Sequence, residues 1–359
     1  MRLNALINPL HHPSTHVPGA GEQALAEETS LVPTRAEVDH CVWTLKGIAI
    51  LGVVFLHLSS THLAEDVRET LLGAGFFWQW ATPTFMSVAG FLYGVSSSVR
   101  TEHWFGFVRR RANRLLIPFF VVSFAYAVAF GLLVEFGVLD ARQEQFVWWE
   151  RWLNTLSSSS GRLGEQLYFL PYLLMVSAVG VLVVKLKIPL AGAAATGLML
   201  LVASRAMPEA FNQLPLHPPY RTWDMFASSL GLFLLGYVLQ RRPLVSSFFC
   251  VAGSVGVAIA FIFENPWILR YFGALALSSL ILGARLSQPA LAWVGKRSGT
   301  IFLYHTPFLL QPPLQGIGTA FPASFQLPLA LVTGVLVIML LGVVHDWLIR
   351  SPFKRLTFA

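Results

Sequence analysis

Apolar runs long enough to cross a bilayer recur along the chain from residue 41 onward. A transmembrane helix needs about 20 consecutive, mostly apolar residues, and short polar stretches separate the runs in this chain. The pattern predicts an all-α, polytopic helical membrane protein with about ten transmembrane helices. The predicted spans are 41–59, 71–95, 115–136, 166–185, 188–203, 224–240, 243–263, 266–284, 295–312 and 327–349.

The composition agrees with an integral membrane protein. Of 359 residues, 55% are hydrophobic and 12% are charged, whereas a soluble domain carries about 25% charged residues. The mean hydropathy is +0.62. A net charge of +7 would suit a nucleic-acid partner, but the positions of the basic residues explain it by topology, so we expect a lipid bilayer and no nucleic acid.

Basic residues are concentrated in alternate connections between the predicted spans. Lys and Arg are enriched in the cytoplasmic loops of membrane proteins. In this chain they lie in the 2–3, 4–5, 6–7 and 8–9 connections and in the C-terminal tail, while the 7–8 and 9–10 connections hold none. This alternation predicts an even number of spans with both termini in the cytoplasm.

Residues 1–38 are polar and rich in Pro, His and Glu. They predict a disordered cytoplasmic tail, or a start codon placed too far upstream, ahead of a membrane domain at 39–355 and a short tail at 356–359. His11, His12 and His16 could bind a metal ion, but a tail without function explains them more simply, and we expect no metal.

The first predicted span, DHCVWTLKGIAILGVVFLHLS at 39–59, carries two polar side chains in line. Lys46 and His57 lie on one helix face, about 16 Å apart along the axis, and the topology places Lys46 at the cytoplasmic end. An ionisable residue inside a span is costly and is a functional candidate. His57 could act as a base; a helix-packing hydrogen bond or a position at the outer interface is the alternative.

Arg111 and Arg114 lie three residues apart in RRRANRLLIP, ahead of Pro118, which we expect to open the third span. Guanidinium groups suit phosphates because they form paired, charged hydrogen bonds. A basic cluster at the cytoplasmic interface also anchors a protein to anionic lipid. Position alone favours the lipid interpretation.

Other candidate residues have an ordinary structural explanation as well. His305, in FLYHTPFLL, lies about 12 Å beyond Arg297 by helix rise and could face His57, although a packing histidine is equally compatible. Asp346 has the i,i+4 spacing for a pair with Arg350. Three carboxylates at outer helix ends could orient a histidine or could simply be solvated: Glu135, Glu165 and Asp224.

Three tryptophans lie in the long predicted outer loop 137–165, at positions 148, 149 and 152. They could stack on sugar rings, but Trp at a membrane boundary is ordinarily an interface anchor.

Several of these stretches together resemble the acyltransferase-3 family of integral-membrane O-acyltransferases. Lys46 and His57 match its first-helix signature of a basic residue, ten intervening residues and a histidine. TFMSVAGFLYG at 84–94 is similar to its second-helix motif, with Ala89 where a serine is usual. RANR at 111–114, followed by LLIP, is similar to its paired-arginine motif. Three further stretches occur in the expected order: YFLPYLL at 168–174, FLLGYVLQRR at 233–242 and IFLYHTPFL at 301–309.

The resemblance implies transfer of an acyl group, commonly acetyl, from cytoplasmic acyl-CoA to a hydroxyl at the outer side of the membrane. It implies that Arg111 and Arg114 hold the CoA phosphates, that Lys46 assists at the inner mouth, and that His57 is the catalytic histidine. It also implies a stand-alone enzyme of a bacterial inner membrane. The expected acceptor is an exopolysaccharide, a lipopolysaccharide or a lipid-linked repeat unit.

A proton-coupled transporter is the alternative, because spans with histidines would suit a carrier. Carriers often show two related halves, and the segment around His57 has no counterpart in the second half of the chain.

Overall fold

The computed structural model describes residues 35–59, 62–96, 101–136, 152–153, 167, 169–207, 209, 222–240, 243–306 and 309–357. Over these ranges the chain forms thirteen α helices and a short 3-10 helix at Lys354–Thr357, with no strand, so the prediction of an all-α protein is confirmed. The helices are α1 Arg35–Leu56, α2 Glu65–Trp78, α3 Ala81–Val95, α4 Trp104–Glu135, α5 Phe169–Lys185, α6 Leu190–Ala206, α7 Trp223–Leu239, α8 Pro243–Ile262, α9 Pro266–Gly283, α10 Pro289–Lys296, α11 Ser298–Tyr304, α12 Gln311–Ala320 and α13 Ala323–Leu348.

Four of these helices are long and apolar enough to cross a membrane: Val38–Leu56, Trp104–Leu132, Pro266–Gly283 and Ala323–Leu348. Four shorter apolar helices accompany them, at Phe169–Lys185, Leu190–Ser204, Trp223–Leu239 and Ser246–Ile262. The chain is therefore a membrane protein. The count of ten spans and the cytoplasmic location of the termini stay predictions.

Two predicted spans are wrong as single helices. The span 71–95 is divided into α2 and α3 by a turn at Gln79 and Trp80. Pro83 explains the division, because proline lacks an N–H and is tolerated in the first turn of a helix but not in its interior. The span 295–312 is divided among α10, α11 and α12. Pro307 follows Thr306 in the sequence, and a residue before proline avoids the α conformation.

Two helix ends also differ from the expected ones. α1 begins at Arg35, inside the expected tail, and ends at Leu56, while residues 1–34 lie outside the described part of the chain. His57 therefore lies in the turn after the helix, where its N–H donates to the Val54 carbonyl at 3.0 Å. α4 begins at Trp104, so Pro118 is inside this helix and does not open it.

Helix α7 lies at the centre of the helix assembly. Every residue from Phe226 to Leu239 is buried, and the helix contacts α3, α5, α6, α8 and α9. A helix that is apolar on all faces lies in a protein core or in a membrane, and here neighbouring helices cover it. Five helices therefore pack around α7.

Glycines permit the closest helix contacts, as expected where helices meet in a membrane. A Cβ on Gly90 of α3 would meet the Phe233 carbonyl of α7, and a Cβ on Gly236 of α7 would meet the Ser87 carbonyl of α3. Both glycines belong to motifs that suggested the family resemblance. Their role in the structure is to let α3 and α7 approach each other.

The Gly90→Ala variant is expected to unfold at a lower temperature than the wild type in detergent. The added methyl meets a backbone carbonyl, and such overpacking costs about 1–3 kcal/mol. Gly73→Ala is the matched control, because nothing lies within 4 Å of a Cβ at that position and alanine is the better helix former. Equal melting temperatures for the two variants would contradict the proposed contact.

Candidate active site

Two cavities adjoin inside the helix assembly. The larger has a volume of about 770 Å³ and is called the basic cavity, after Lys46, Arg111 and Arg114 in its wall. The smaller has a volume of about 250 Å³ and is called the histidine cavity, after His57. Phe169 and Phe302 line both cavities, and the centroids of their rings are 5.1 Å apart. The two spaces therefore meet at this aromatic pair.

The basic cavity gathers five cationic side chains from four separate elements. No Asp or Glu is among the described residues that line it. Apolar side chains, among them Phe85 and Leu173, form much of the remaining wall. A wall with several cations and no described carboxylate suits a ligand that carries several negative charges. The five cations are Lys46 of α1, Arg111 and Arg114 of α4, Lys296 of α10 and Lys354 of the 3-10 helix.

The arginines of α4 differ in their surroundings. Arg110 forms an ion pair with Glu102 at 2.5 Å, whereas the Nε of Arg111 is buried and has no hydrogen-bond partner among the described residues. An orphaned buried donor is costly and indicates a place for a ligand acceptor. The alternative interpretation, a lipid anchor, fits the exposed Arg109, Arg110 and Arg114 better than the partly buried Arg111.

Helix α10 holds Lys296 against α1. A Cβ on Gly295 would meet the Trp43 carbonyl, so only glycine allows this approach. The Oγ1 of Thr44 accepts a hydrogen bond from the Gln288 N–H at 3.0 Å, just before α10 begins. The ammonium of Lys296 then lies 5.6 Å from the Trp43 ring centroid, a cation–π distance.

An ion pair fastens the start of α11 to α13. The Nη2 of Arg297 lies 2.6 Å from the Oδ2 of Asp346, and its Nη1 donates to the Trp293 carbonyl at 3.0 Å. The expected pair of Asp346 with Arg350 is therefore wrong, because α13 turns Asp346 toward α11. His345, the adjacent residue, lines the basic cavity and lies within hydrogen-bond distance of the Thr300 hydroxyl, at 2.8 Å.

The histidine cavity is built where helices begin, end or break. His57 follows α1, and Gln79 lies in the turn between α2 and α3. Arg270 comes from the first turns of α9, and Ser229 from α7. The Tyr172 hydroxyl donates to Ser229 Oγ at 3.0 Å. Polar groups thus surround a space large enough for a small polar molecule.

His305 lies beside His57, with ring centroids 5.1 Å apart. The Nδ1 of His305 is 2.9 Å from the Ile301 carbonyl and 3.0 Å from the Phe302 carbonyl. Carbonyl oxygens only accept hydrogen bonds, so Nδ1 carries the proton and Nε2 of the neutral ring is an acceptor. That Nε2 is buried without a hydrogen-bond partner among the described residues. It is therefore ready to accept an N–H from a neighbouring group.

The structure brings together Lys46, Arg111 and Arg114 in one cavity and His57 with His305 at the other. It does not bring the acidic candidates to either: Glu135 is exposed at the end of α4, and Asp224 lines neither cavity. Ala89 lines the basic cavity. The candidates Glu165, Trp148 and Trp149 lie outside the described residues.

Trp152 packs on α4. Its Nε1 donates to Ser123 Oγ at 3.1 Å, and its ring meets Phe124 at a centroid distance of 5.3 Å. These contacts agree with an anchoring role for this tryptophan.

Among the residues of the two cavities that were not site candidates in the sequence, five carry a charge, an imidazole or an amide. Arg270 could have been found from the sequence, since it is a cation inside the predicted span 266–284. Gln79 could have been found as well, since it is a polar residue inside the predicted span 71–95. The other three lie in basic connections or near a helix end, where topology gave a sufficient explanation for them: Lys296, His345 and Lys354.

A family model described as an acyltransferase domain matches residues 40–347. The match contains every described residue that lines the histidine cavity. No curated protein and no solved structure matches the chain.

A double-mutant cycle is expected to detect the pair between Arg297 and Asp346. Arg297→Gln and Asp346→Asn should show a coupling of about 0.5–1 kcal/mol in thermal unfolding, the range for partly exposed ion pairs. The matched cycle of Asp346→Asn with Arg350→Gln should show a smaller coupling. A larger coupling to Arg350 would restore the i,i+4 pair expected from sequence.

Proposed function

The chain belongs to the acyltransferase-3 family of membrane acyltransferases, and we propose from this premise that it is an acyl-CoA-dependent O-acyltransferase. The acyl group is acetyl or a longer chain, and the acceptor is a hydroxyl of a saccharide. The saccharide is an exopolysaccharide, a lipopolysaccharide or a lipid-linked repeat unit at the outer face of a bacterial inner membrane.

One observation carries the proposal: a cavity lined by five cations and no described carboxylate adjoins a cavity lined by His57, against which His305 packs. The phosphates of acyl-CoA supply the negative charges that the basic cavity lacks. Arg111 and Arg114 bind these phosphates as guanidinium forks, and Lys46 and Lys296 add charge beside them.

The aromatic pair Phe169 and Phe302 is where the acyl group passes from one cavity to the other. The phosphates stay in the basic cavity, while the long, uncharged pantetheine arm extends along its apolar wall. The thioester then reaches the pair that lines both cavities. The acceptor hydroxyl enters from the histidine cavity, so donor and acceptor meet without either leaving its own site.

Within the histidine cavity, His57 serves as the general base and His305 as the group that orients it. The Nε2 of His305 is buried without a partner among the described residues and lies beside the His57 ring. When the His57 ring turns toward it, this Nε2 accepts an N–H from His57 and leaves the other ring nitrogen of His57 free to take a proton. As the hydroxyl oxygen attacks the thioester carbon, its proton passes to His57. The carbon–sulfur bond then breaks, and the departing CoA sulfur takes that proton back.

A transporter, the alternative suggested by the spans and histidines, is not favoured, since no observation of the structure points to it specifically. An alternating carrier uses a single central site between two related halves. Two cavities with different chemistry, as found here, suit two different substrates.

The His57→Ala variant is expected to lose at least about 100-fold in acyl transfer, the usual contribution of a general base. Mass spectrometry of surface glycans from cells with wild-type or variant protein measures this loss, and immunoblotting checks that membrane levels are equal. His103→Ala is the matched control, because His103 is exposed and lines neither cavity. Retained acylation in His57→Ala would refute the assigned role.

Loss of Arg111 is expected to weaken the use of acyl-CoA and to leave the use of the acceptor intact. Charged hydrogen bonds contribute about 1.5–3 kcal/mol, so Arg111→Ala should raise the KM for acyl-CoA about 10- to 100-fold. Arg110→Ala is the control, since it removes one charge from the same helix turn but pairs with Glu102. If the two variants behaved alike, or if only the acceptor KM moved, the phosphate assignment would be wrong.

A further inference from the structure

Arg270 is the residue of the histidine cavity whose presence is hardest to explain by packing. It lies in α9, inside the candidate membrane span Pro266–Gly283, where a cationic side chain is costly. It also lies near the helix N-terminus, where the helix dipole disfavours positive charge. Asn265 already caps this terminus by accepting hydrogen bonds from the N–H groups of Trp267 and Ile268.

The polar contact of Arg270 is neutral. Its Nη2 donates to the Oε1 of Gln79 at 2.7 Å, and Arg270 forms no ion pair with any described carboxylate. None of its nitrogens is among the buried atoms that lack a partner, and the side chain lines the cavity. Arg270 and His57 thus line the same space, and the one hydrogen bond to Gln79 leaves other N–H groups of the guanidinium for a ligand.

Gln79 holds the guanidinium in place without neutralising it. A carboxylate at this position would have neutralised Arg270 by forming an ion pair. The amide oxygen of Gln79 accepts one hydrogen bond and leaves the positive charge available to a ligand. The side chain of Gln79 is within reach because α2 ends at Trp78 and α3 begins at Ala81. Gln79 is thus a positioning residue for Arg270.

We propose that the histidine cavity binds an acceptor that carries an anionic group, a carboxylate or a phosphate ester, and that Arg270 binds this group. The inference rests on the proposed function, because it names the class of acceptor for the same site. The guanidinium fork suits both groups, since each offers two oxygens to paired N–H donors.

The size of the cavity places the anionic group close to the reacting hydroxyl. Its volume of about 250 Å³ lies below the roughly 300–1,000 Å³ of sites that enclose drug-sized ligands. It therefore takes one sugar unit at a time. The anionic group lies on the sugar that is acylated or on the bond to its neighbour, and its binding by Arg270 turns a hydroxyl toward His57.

The experiment compares matched acceptors with the purified full-length protein and acetyl-CoA. The probes are methyl glucuronoside as the carboxylate arm, glucose 1-phosphate as the phosphate arm and methyl glucoside as the neutral reference. We expect one of the two anionic probes to have a higher kcat/KM than the neutral probe. The probe that does so shows whether the anionic group of the acceptor is a carboxylate or a phosphate ester. Arg270→Gln should lower the ratio of anionic to neutral kcat/KM about 10- to 100-fold.

Two further variants complete the comparison. Arg270→Lys keeps the charge but loses the fork, so it should retain part of the ratio, and it substitutes for Arg270→Gln if that variant fails to fold. Arg68→Gln is the control, because Arg68 lines neither cavity and its removal costs the same net charge. An unchanged ratio in the Arg270 variants, or a wild type that prefers the neutral probe, would overturn the inference.

Calorimetric binding of the same three probes separates this inference from the proposed function. If an anionic probe binds to the wild type and not to Arg270→Gln, the anion site is supported. If the protein in the same experiment never uses acetyl-CoA, only the acyltransferase reaction with this donor is refuted. Transfer of acetyl to the neutral probe with no binding of either anionic probe would keep the reaction and reject the anion site.

Discussion

The gathering of like-charged side chains in one cavity wall is the constraint on which the rest of this structure depends. Five cations line this cavity with no described carboxylate among them, although like charges repel. Two conditions favour such an arrangement: the folded helices hold the side chains in place, and a polyanion offsets the charge. The packing of α1, α4 and α10 supplies the first condition, and the phosphates of the proposed donor supply the second.

Several polar side chains of the two cavities lie at or next to breaks between helices. In a membrane, irregular backbone is tolerated only where protein or water satisfies its polar groups. The chain breaks at Gln79, at Arg297 and after Tyr304, and each break lies next to a cavity residue. Gln79 itself lines the histidine cavity, and Lys296 and Ser298 on either side of Arg297 line the basic cavity. Tyr304 is followed by His305, which packs against the cavity residue His57. An uninterrupted helix could not have turned these groups inward together.

Small residues set how closely the helices approach. Gly90 and Gly236 join α3 to the buried α7, and Gly295 joins α10 to α1. Since lipid tails are as apolar as leucine, close packing is the main attraction between helices in a membrane. The same contacts fix the walls of the cavities, because Ala89 beside Gly90 and Lys296 beside Gly295 both line the basic cavity.

The sequence by itself determined the class of the protein and most of its apolar segments. Hydropathy is a local property, so α5 to α9 and α13 were located to within a few residues. The ordered motifs were sufficient to indicate the family, and Lys46, Arg111, Arg114 and His57 could be named from spacing and charge.

Only the tertiary structure decided which side chains meet. The breaks at Gln79 and after Tyr304 lie next to prolines whose effect is positional, and hydropathy registers neither these breaks nor the one at Arg297. The pairing of Asp346 with Arg297 in place of Arg350 depends on how α13 faces α11. The roles of His305, Gln79 and Arg270 likewise follow from contacts between residues far apart in the chain. Spacing along one helix contains no information about such contacts, since they arise when separate elements pack together.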